Sequence, residues 1–317
     1  MKKILITGIN GFIGQNLADY IFRTQKNIQV FGCDQKKIKN QKSNIKYINQ
    51  KLKITKFFKI DIRDKQKIEK IVREIKPDII FHLSAVSSVQ SCKKNPKKCI
   101  ATNIYGTNNL LGTVASFCPE AKIIIASSSY VYKLPAGKIK EGAELINNSV
   151  KNNSNLYGWT KLQNELEGKK SGLKVISARL FNIMGPRRQS FWADIIREIL
   201  SAKKNDGKEI KMDAKFDDTI RDYTDVRDIV RAFWLLAVRG KFGEIYNVCS
   251  GRGYKNRDIK RKIETISEIK LRFKGFYKTP KFIGDNSKLK KLGWEPKIDI
   301  LNQTLPELLN YWRSKIR

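Results

Sequence analysis

Lys3-Ile-Leu-Ile-Thr7-Gly8-Ile-Asn-Gly11-Phe12-Ile13-Gly14 is the stretch on which the fold turns. Its first five residues are mostly apolar and read as a buried strand, and the three glycines then predict a turn that opens a helix reaching about Arg23. Glycines at such a turn let the backbone approach a pyrophosphate, while a helix N-terminus supplies N–H groups and partial positive charge. Gly8, Gly11, Phe12, Ile13 and Gly14 are therefore candidate dinucleotide contacts. A glycine-rich turn alone says little. Here a second strand, Ile28–Cys33, follows and ends in Asp34, where an acid about 20 residues on is expected to hold the adenosine ribose. A carboxylate there accepts from both ribose hydroxyls and repels a 2′-phosphate, so NAD(H) is favoured. NADP(H) stays open, because Lys36 and Lys37 could neutralise that phosphate, and the plain reading of Asp34 is a turn-capping aspartate.

Further along, strand Phe57–Ile60 runs into Asp61-Ile62, placed to meet an adenine edge. Helix Lys65–Ile75 stops before Pro77, as proline requires. Strand Asp78–His82 leads to Leu83-Ser84-Ala85, small enough in part to let a cofactor pass the strand tip. A helix containing Asn103–Leu111, strand Ala121–Ala126, a helix at Tyr157 and strand Lys174–Arg179 continue the alternation. The pattern predicts an α/β fold with a doubly wound parallel sheet and ligands at the carboxyl ends of its strands. Strict alternation ends there. The expected division is a dinucleotide-binding domain over 1–180, to which 222–248 returns, and a smaller α/β substrate domain over 181–317. Residues 35–55, rich in Lys, Asn and Gln around Ile45-Lys-Tyr-Ile48, read as a solvated excursion.

The candidate chemistry sits in two places. Strand five runs into Ser127-Ser128-Ser129-Tyr130, where the Ser128 hydroxyl could polarise a reacting oxygen. Tyr157-Gly-Trp-Thr-Lys161 places a phenol and an ammonium four apart on one helix face. A phenol titrates near about 10, and a neighbouring cation typically lowers that by ~1–3 units, so Tyr157 could exchange protons near neutrality. The spacing carries weight only with what precedes it.

Composition bounds the rest. A chain of 317 residues, 41% hydrophobic and 30% charged, can bury a sizeable core. No apolar run approaches the ~20 residues of a membrane span, and no cleavable-signal pattern is visible. The net charge of +34 comes from lysines scattered along the chain, without a recognition motif or an interleaved aromatic platform, so no nucleic-acid partner is expected. Five cysteines without a Cys-x-x-Cys pair suggest a reducing, cytoplasmic setting rather than a disulfide framework. The single histidine, His82, ends an apolar strand and reads as structural, and no metal site is expected.

Thr7-Gly-x-x-Gly-x-x-Gly14, Asp34, Asp61-Ile62, Asn103, Ser128, Tyr157-x-x-x-Lys161, Phe181-Asn182-x-x-Gly185-Pro186 and Arg221-Asp-Tyr223 occur in an order that resembles the extended short-chain dehydrogenases/reductases over essentially the whole length. The resemblance implies a Rossmann-type NAD(P)-binding domain, a smaller sugar-nucleotide domain and a homodimer through helices near 95–117 and 151–169. It implies Ser128, Tyr157 and Lys161 as catalytic residues. It also implies Gly8, Gly11, Phe12, Ile13, Gly14, Asp34, Asp61, Ile62, Leu83, Ser84, Ala85, Asn103, Tyr157 and Lys161 around the cofactor. Ser87, Ser128, Asn182 and Arg221 would meet a nucleotide-diphosphate sugar, with Arg187 or Arg188 assisting. Within the family, residues 221–236, Ile245–Gly251 and Gly293-Trp-Glu-Pro296 are most similar to GDP-4-keto-6-deoxy-D-mannose reductases. A 4-epimerase uses the same three residues. A 4,6-dehydratase is disfavoured, because the Asp-Glu pair its chemistry needs is replaced by Ser129 and Tyr130. A non-catalytic Rossmann protein should have lost part of the triad.

Overall fold

A computed structural model describes residues 1–35, 54–133, 137–146, 155–187, 190–203 and 208–315. The excursion read at 35–55 falls almost wholly outside the described residues, as do Lys36, Lys37 and Arg188. In chain order the first strands are β1 (Lys2–Thr7), β2 (Ile28–Asp34), β3 (Lys56–Lys59), β4 (Ile79–His82), β5 (Lys122–Ser128), β6 (Lys138–Ile139) and β7 (Lys174–Leu180). The others are β8 (Asn182–Met184), β9 (Glu209–Asp217), β10 (Ile220–Asp225), β11 (Ile245–Val248), β12 (Gly253–Lys255), β13 (Lys270–Tyr277) and β14 (Ile283–Gly284).

Seven strands form one parallel sheet in the order β11-β7-β5-β4-β1-β2-β3. Both faces are covered, so β1 reads as continuously apolar rather than alternating. Ile4 and Ile6 enter a core shared with the helices Phe12–Thr24 and Val226–Arg239, while Leu5 points into a core shared with Lys65–Ile75 and Gly106–Phe117. Chain order reverses beside β1, between β2 and β4, and a ligand crevice is expected outside the carboxyl ends of the strands at that point. The segment 226–239 packs its helix on the same face as the first helix, and β11 extends the sheet beyond β7.

A separate core gathers the helices Phe191–Lys203, Asn256–Ser267 and Leu305–Arg313 against β9 and β13. The small sheet β12-β10-β8 lies between, with β8 leaving the end of β7 after one residue, Phe181. Two readings change. The strand expected to end at Ala126 continues through Ser128, because Ser127 and Ser128 keep pairing with Arg179 and Leu180 of β7. The cysteine reading is corrected outright: Cys92 and Cys99 are joined in a disulfide between the short helices Val89–Lys94 and Pro96–Ile100. Spacing alone could not show it, since Asn95-Pro96 folds the two helices back on each other.

Candidate active site

Gly8 follows β1 with φ of +70°, and a Cβ there would lie 2.8 Å from Ser84 N and 2.9 Å from Leu83 C. Gly14 has a different reason. Its Cβ would stand 2.5 Å from Gly8 O and 2.7 Å from Ile9 Cα, so its absence lets the first helix pack onto the turn. That helix starts at Phe12 and Ile13 with Gly11 as its N-cap, and no side chain caps it. This is the geometry of an anion site. Asp34 ends β2 and accepts the Asn10 N–H at 3.2 Å, so it does cap the turn while standing at the strand's carboxyl end. Asp61 holds Arg63 through Nε at 3.0 Å and Nη2 at 2.5 Å. Burial pulls the Asp61 carboxyl up, but these bonds outweigh it and keep it below the usual carboxylate range. The Ile62 side chain is buried and packs against Gly106, which leaves only its backbone for a ligand.

His82 is buried where β4 meets this turn. Thr7 Oγ1 accepts the N–H groups of Leu83 and Ser84, each at 3.2 Å, so its own proton goes to His82 Nδ1 at 2.8 Å. His82 is then the Nε2–H tautomer and donates to Thr107 Oγ1 at 2.9 Å, which donates to Asn103 O at 2.5 Å. Burial, reinforced by the charge of Lys161, pulls the imidazole down to about 3. An imidazole depressed below its unfolded value of about 6.5 contributes stability above that value and loses it as pH falls toward its folded value. Wild-type stability should therefore fall below pH ~6.5 with a contribution approaching about 1.4 kcal/mol per pH unit. His82→Gln should be less stable at neutrality and lack that component. Denaturant unfolding of both from pH 7 to 5 checks it, and a gap that stays constant with pH would refute the assignment.

Asn103 lies in a π-turn, Ala101–Tyr105, and is fully buried. Its amide accepts from Val86 N at 2.7 Å and donates to Val86 O at 3.2 Å and Thr160 Oγ1 at 3.0 Å. It thus ties the loop after β4, which carries Ala85, to the helix Leu156–Lys170 that carries Tyr157 and Lys161. Any help it gives a dinucleotide passes through that loop.

The tyrosine helix is docked closely. Asn155 caps it through Gly158 N at 3.1 Å and donates to Tyr130 O at 2.9 Å. Tyr157 meets the Tyr130 ring edge-on at 5.9 Å, in the turn that follows Ser128. Ser128 is buried, and its Oγ accepts Tyr130 N at 3.3 Å. Lys161 donates to Ala126 O at 2.8 Å and stands 5.9 Å from the centre of the Tyr157 ring. Burial pulls the Lys161 ammonium down to about 8, while the charge of Glu165 opposes the fall. Near neutral pH the group stays largely a cation, held beside the phenol.

On the facing side, Asn182 starts β8 and donates to Asp222 O at 3.0 Å. Arg221 is oriented by Pro280 O at 2.9 Å, by Asp217 Oδ2 at 3.3 Å and by the Thr279 hydroxyl. Its neighbour Asp222 is buried and accepts from Ser250 N, Ser250 Oγ, Gly251 N and Gly284 N, at 2.9, 2.7, 2.9 and 3.3 Å. Burial raises that carboxyl to about 6 against those bonds. Arg187 crosses the crevice, with Nη1 3.5 Å from Oε1 of Gln15 on the first helix. Ser87 is exposed on the loop beyond Ala85. Sequence reasoning missed Gly158, Thr160, Glu165 and Arg179. Gly158 had a local signal, a glycine inside a helix-forming run, and Glu165 had its spacing of four from Lys161; Thr160 and Arg179 had none.

The sequence profile described as GDP-mannose 4,6 dehydratase matches residues 5–304. A dTDP-D-glucose 4,6-dehydratase from Dictyostelium discoideum is 31% identical over 84% of this chain, which spans 62% of that enzyme's length. A GDP-6-deoxy-D-mannose reductase from Pseudomonas aeruginosa is 24% identical over 100% of this chain and 99% of its own. Among solved structures, a UDP-glucose 4-epimerase from Thermotoga maritima holding UDP-glucose superposes with a TM-score of 0.81 at 26% identity, covering 99% of this chain and 100% of its own. No described helix is long and apolar enough to cross a membrane.

Proposed function

Since the chain belongs to the family described as GDP-mannose 4,6-dehydratase, within the extended short-chain dehydrogenases/reductases, we propose that it reduces the C4 ketone of a nucleotide-linked 4-keto-6-deoxyhexose. It is an enzyme of nucleotide-sugar chemistry and uses NAD(P). The substrate we assign is GDP-4-keto-6-deoxy-D-mannose, and the product GDP-D-rhamnose. The supporting observation is the turn after β5: Ser128 is followed by Ser129 and Tyr130, so the pair of carboxylates that dehydration at C5 and C6 would use is not there. Full-length similarity to a GDP-6-deoxy-D-mannose reductase fits the same reading.

The dinucleotide would lie across the Gly8–Gly14 turn, with its pyrophosphate at the first helix and its adenosine ribose at Asp34. It supplies a hydride when bound. Tyr157 gives its proton to the C4 oxygen as charge develops there, Ser128 donates a hydrogen bond to that oxygen, and Lys161 holds the nicotinamide ribose and biases the phenol. Asn182 and Arg221, with Arg187, would hold the diphosphate. From the family resemblance we also propose a homodimer through the helices near 95–117 and 151–169.

Asp34 favours a second reading, a 4-epimerase that keeps NAD bound and returns the hydride to the other face of C4. Purified protein decides between them. Consumption of NADH with GDP-4-keto-6-deoxy-D-mannose supports the reductase, whereas retained NAD and interconversion of C4 epimers supports the epimerase. Placing Asp34 at the ribose also predicts that NADP(H) binds clearly more weakly than NAD(H), because a carboxylate would face the 2′-phosphate. Dissociation constants at matched salt test this, and a preference for NADP(H) refutes the role.

A further inference from the structure

Behind Lys161 the tyrosine helix carries a second buried charge, on Glu165. Tyr157, Lys161 and Glu165 are spaced four apart and share one helix face. Lys161 donates to Ala126 O at 2.8 Å, and Glu165 Oε1 accepts Ser127 Oγ at 2.5 Å, so two successive turns grip two successive residues of β5. The next residue of that strand is Ser128. On the other side of Glu165, Arg179 of β7 closes a two-pronged pair, Nε to Oε1 at 2.9 Å and Nη2 to Oε2 at 2.7 Å. The two side chains are only 3% and 1% exposed. Arg179 is fixed in turn by Glu141 O at 2.9 Å and by the Tyr132 ring, 4.7 Å from its Cζ.

Such a pair carries no stability argument of its own, because desolvation of two charges offsets most of their attraction. Its place in line with Lys161 suggests another use. We propose that Glu165, held by Arg179, is a positioning residue for the reaction: it sets the register of the tyrosine helix on β5 and supplies the buried negative charge that answers the Lys161 ammonium. This rests on the assignment of Tyr157 and Lys161 above.

The groups facing Lys161 leave that task to Glu165. From its own helix come Tyr157 and Glu165, from β4 the neutral His82, and from β5 a carbonyl and hydroxyls. Tyr130 and the Cys92–Cys99 disulfide pack against Tyr157 rather than against the ammonium, and the second buried cation, Arg179 of β7, is paired to Glu165. Burial already draws Lys161 down to about 8 with Glu165 resisting. Without the carboxylate, two cations would remain at low dielectric. Lys161 would lose its proton at lower pH, and with it the hold on the phenol and the ribose.

The test is the pH dependence of kcat, and of NADH affinity by fluorescence, for Glu165→Gln, Glu165→Asp and the double variant Glu165→Gln/Arg179→Met. The double variant removes the cation that the single change leaves buried and unpaired. An amine with a lowered pKa loses its charge earlier as pH rises. The alkaline limb of both curves should move down by about one pH unit or more in Glu165→Gln and in the double variant. Near pH 8, kcat should fall roughly fivefold or more, with KM for the sugar nucleotide little changed. Glu165→Asp should recover part of the limb. A purely structural pair predicts that the double variant restores the wild-type limb, and that result overturns the proposal. Tyr157→Phe is run alongside: if it keeps turnover, the triad assignment falls and takes this inference with it. If it is inactive while both limbs of the Glu165 variants stay unmoved, only the role of Glu165 is lost. The NADH curve reads the limb whatever the sugar substrate proves to be.

Discussion

Tyr157→Phe should lower turnover by roughly 10²–10⁴-fold while leaving dinucleotide affinity nearly unchanged. The substitution removes one hydroxyl and keeps the ring that packs against Tyr130 at 5.9 Å, so the helix and its cap should stay in place. What is lost is the proton that moves to or from the sugar oxygen. Lys161 would still donate to Ala126 O and still reach a ribose, which is why binding should survive. Ser128→Ala should cost less, because in the proposed mechanism Ser128 only stabilises charge that Tyr157 neutralises. Stopped-flow reduction with NADH, beside equilibrium binding of NADH, separates the two effects. Near-wild-type turnover on a substrate that the wild type reduces would remove Tyr157 from the chemistry.

Gly158→Ala should be almost as damaging, although residue 158 has no side chain to contribute. A Cβ there would lie 2.2 Å from Tyr130 O and 2.6 and 2.7 Å from the Asn155 amide. Two of those neighbours are fixed: Tyr130 O accepts from Asn155 Nδ2, and Asn155 Oδ1 accepts from Gly158 N. The first turn of the helix would have to lift away from the turn after Ser128. A shift near 1 Å at a reacting group can lower kcat by about 10²-fold, and forced overpacking typically costs about 1–3 kcal/mol. We expect both, a hundredfold loss of kcat and a lower melting temperature, with the Gly8–Gly14 turn still binding dinucleotide. Wild-type kcat and melting in Gly158→Ala would show that the close docking has no part in catalysis.

The sequence by itself determined what depends on near neighbours. Short continuous apolar runs mark strands covered on both faces and the 3.6-residue period marks amphipathic helices, which is why the helix at 65–75 is read to the residue. Gly8 needs a left-handed backbone and Gly14 needs close packing on its own turn, so both are visible as a local motif. Tyr157 and Lys161 are legible for the same reason, being one helical turn apart. Tertiary structure alone decided which distant groups meet. Asn103 and Thr160 are 57 positions apart, Thr7 and His82 are 75 apart, and Ser127 and Glu165 are 38 apart. No periodicity encodes such pairs. They arise because a parallel sheet brings the ends of non-consecutive strands to one edge, where buried polar groups must find partners, and those groups find each other through space. The cysteines make the same point: their number suggested free thiols, and only the fold of Asn95-Pro96 brings Cys92 onto Cys99.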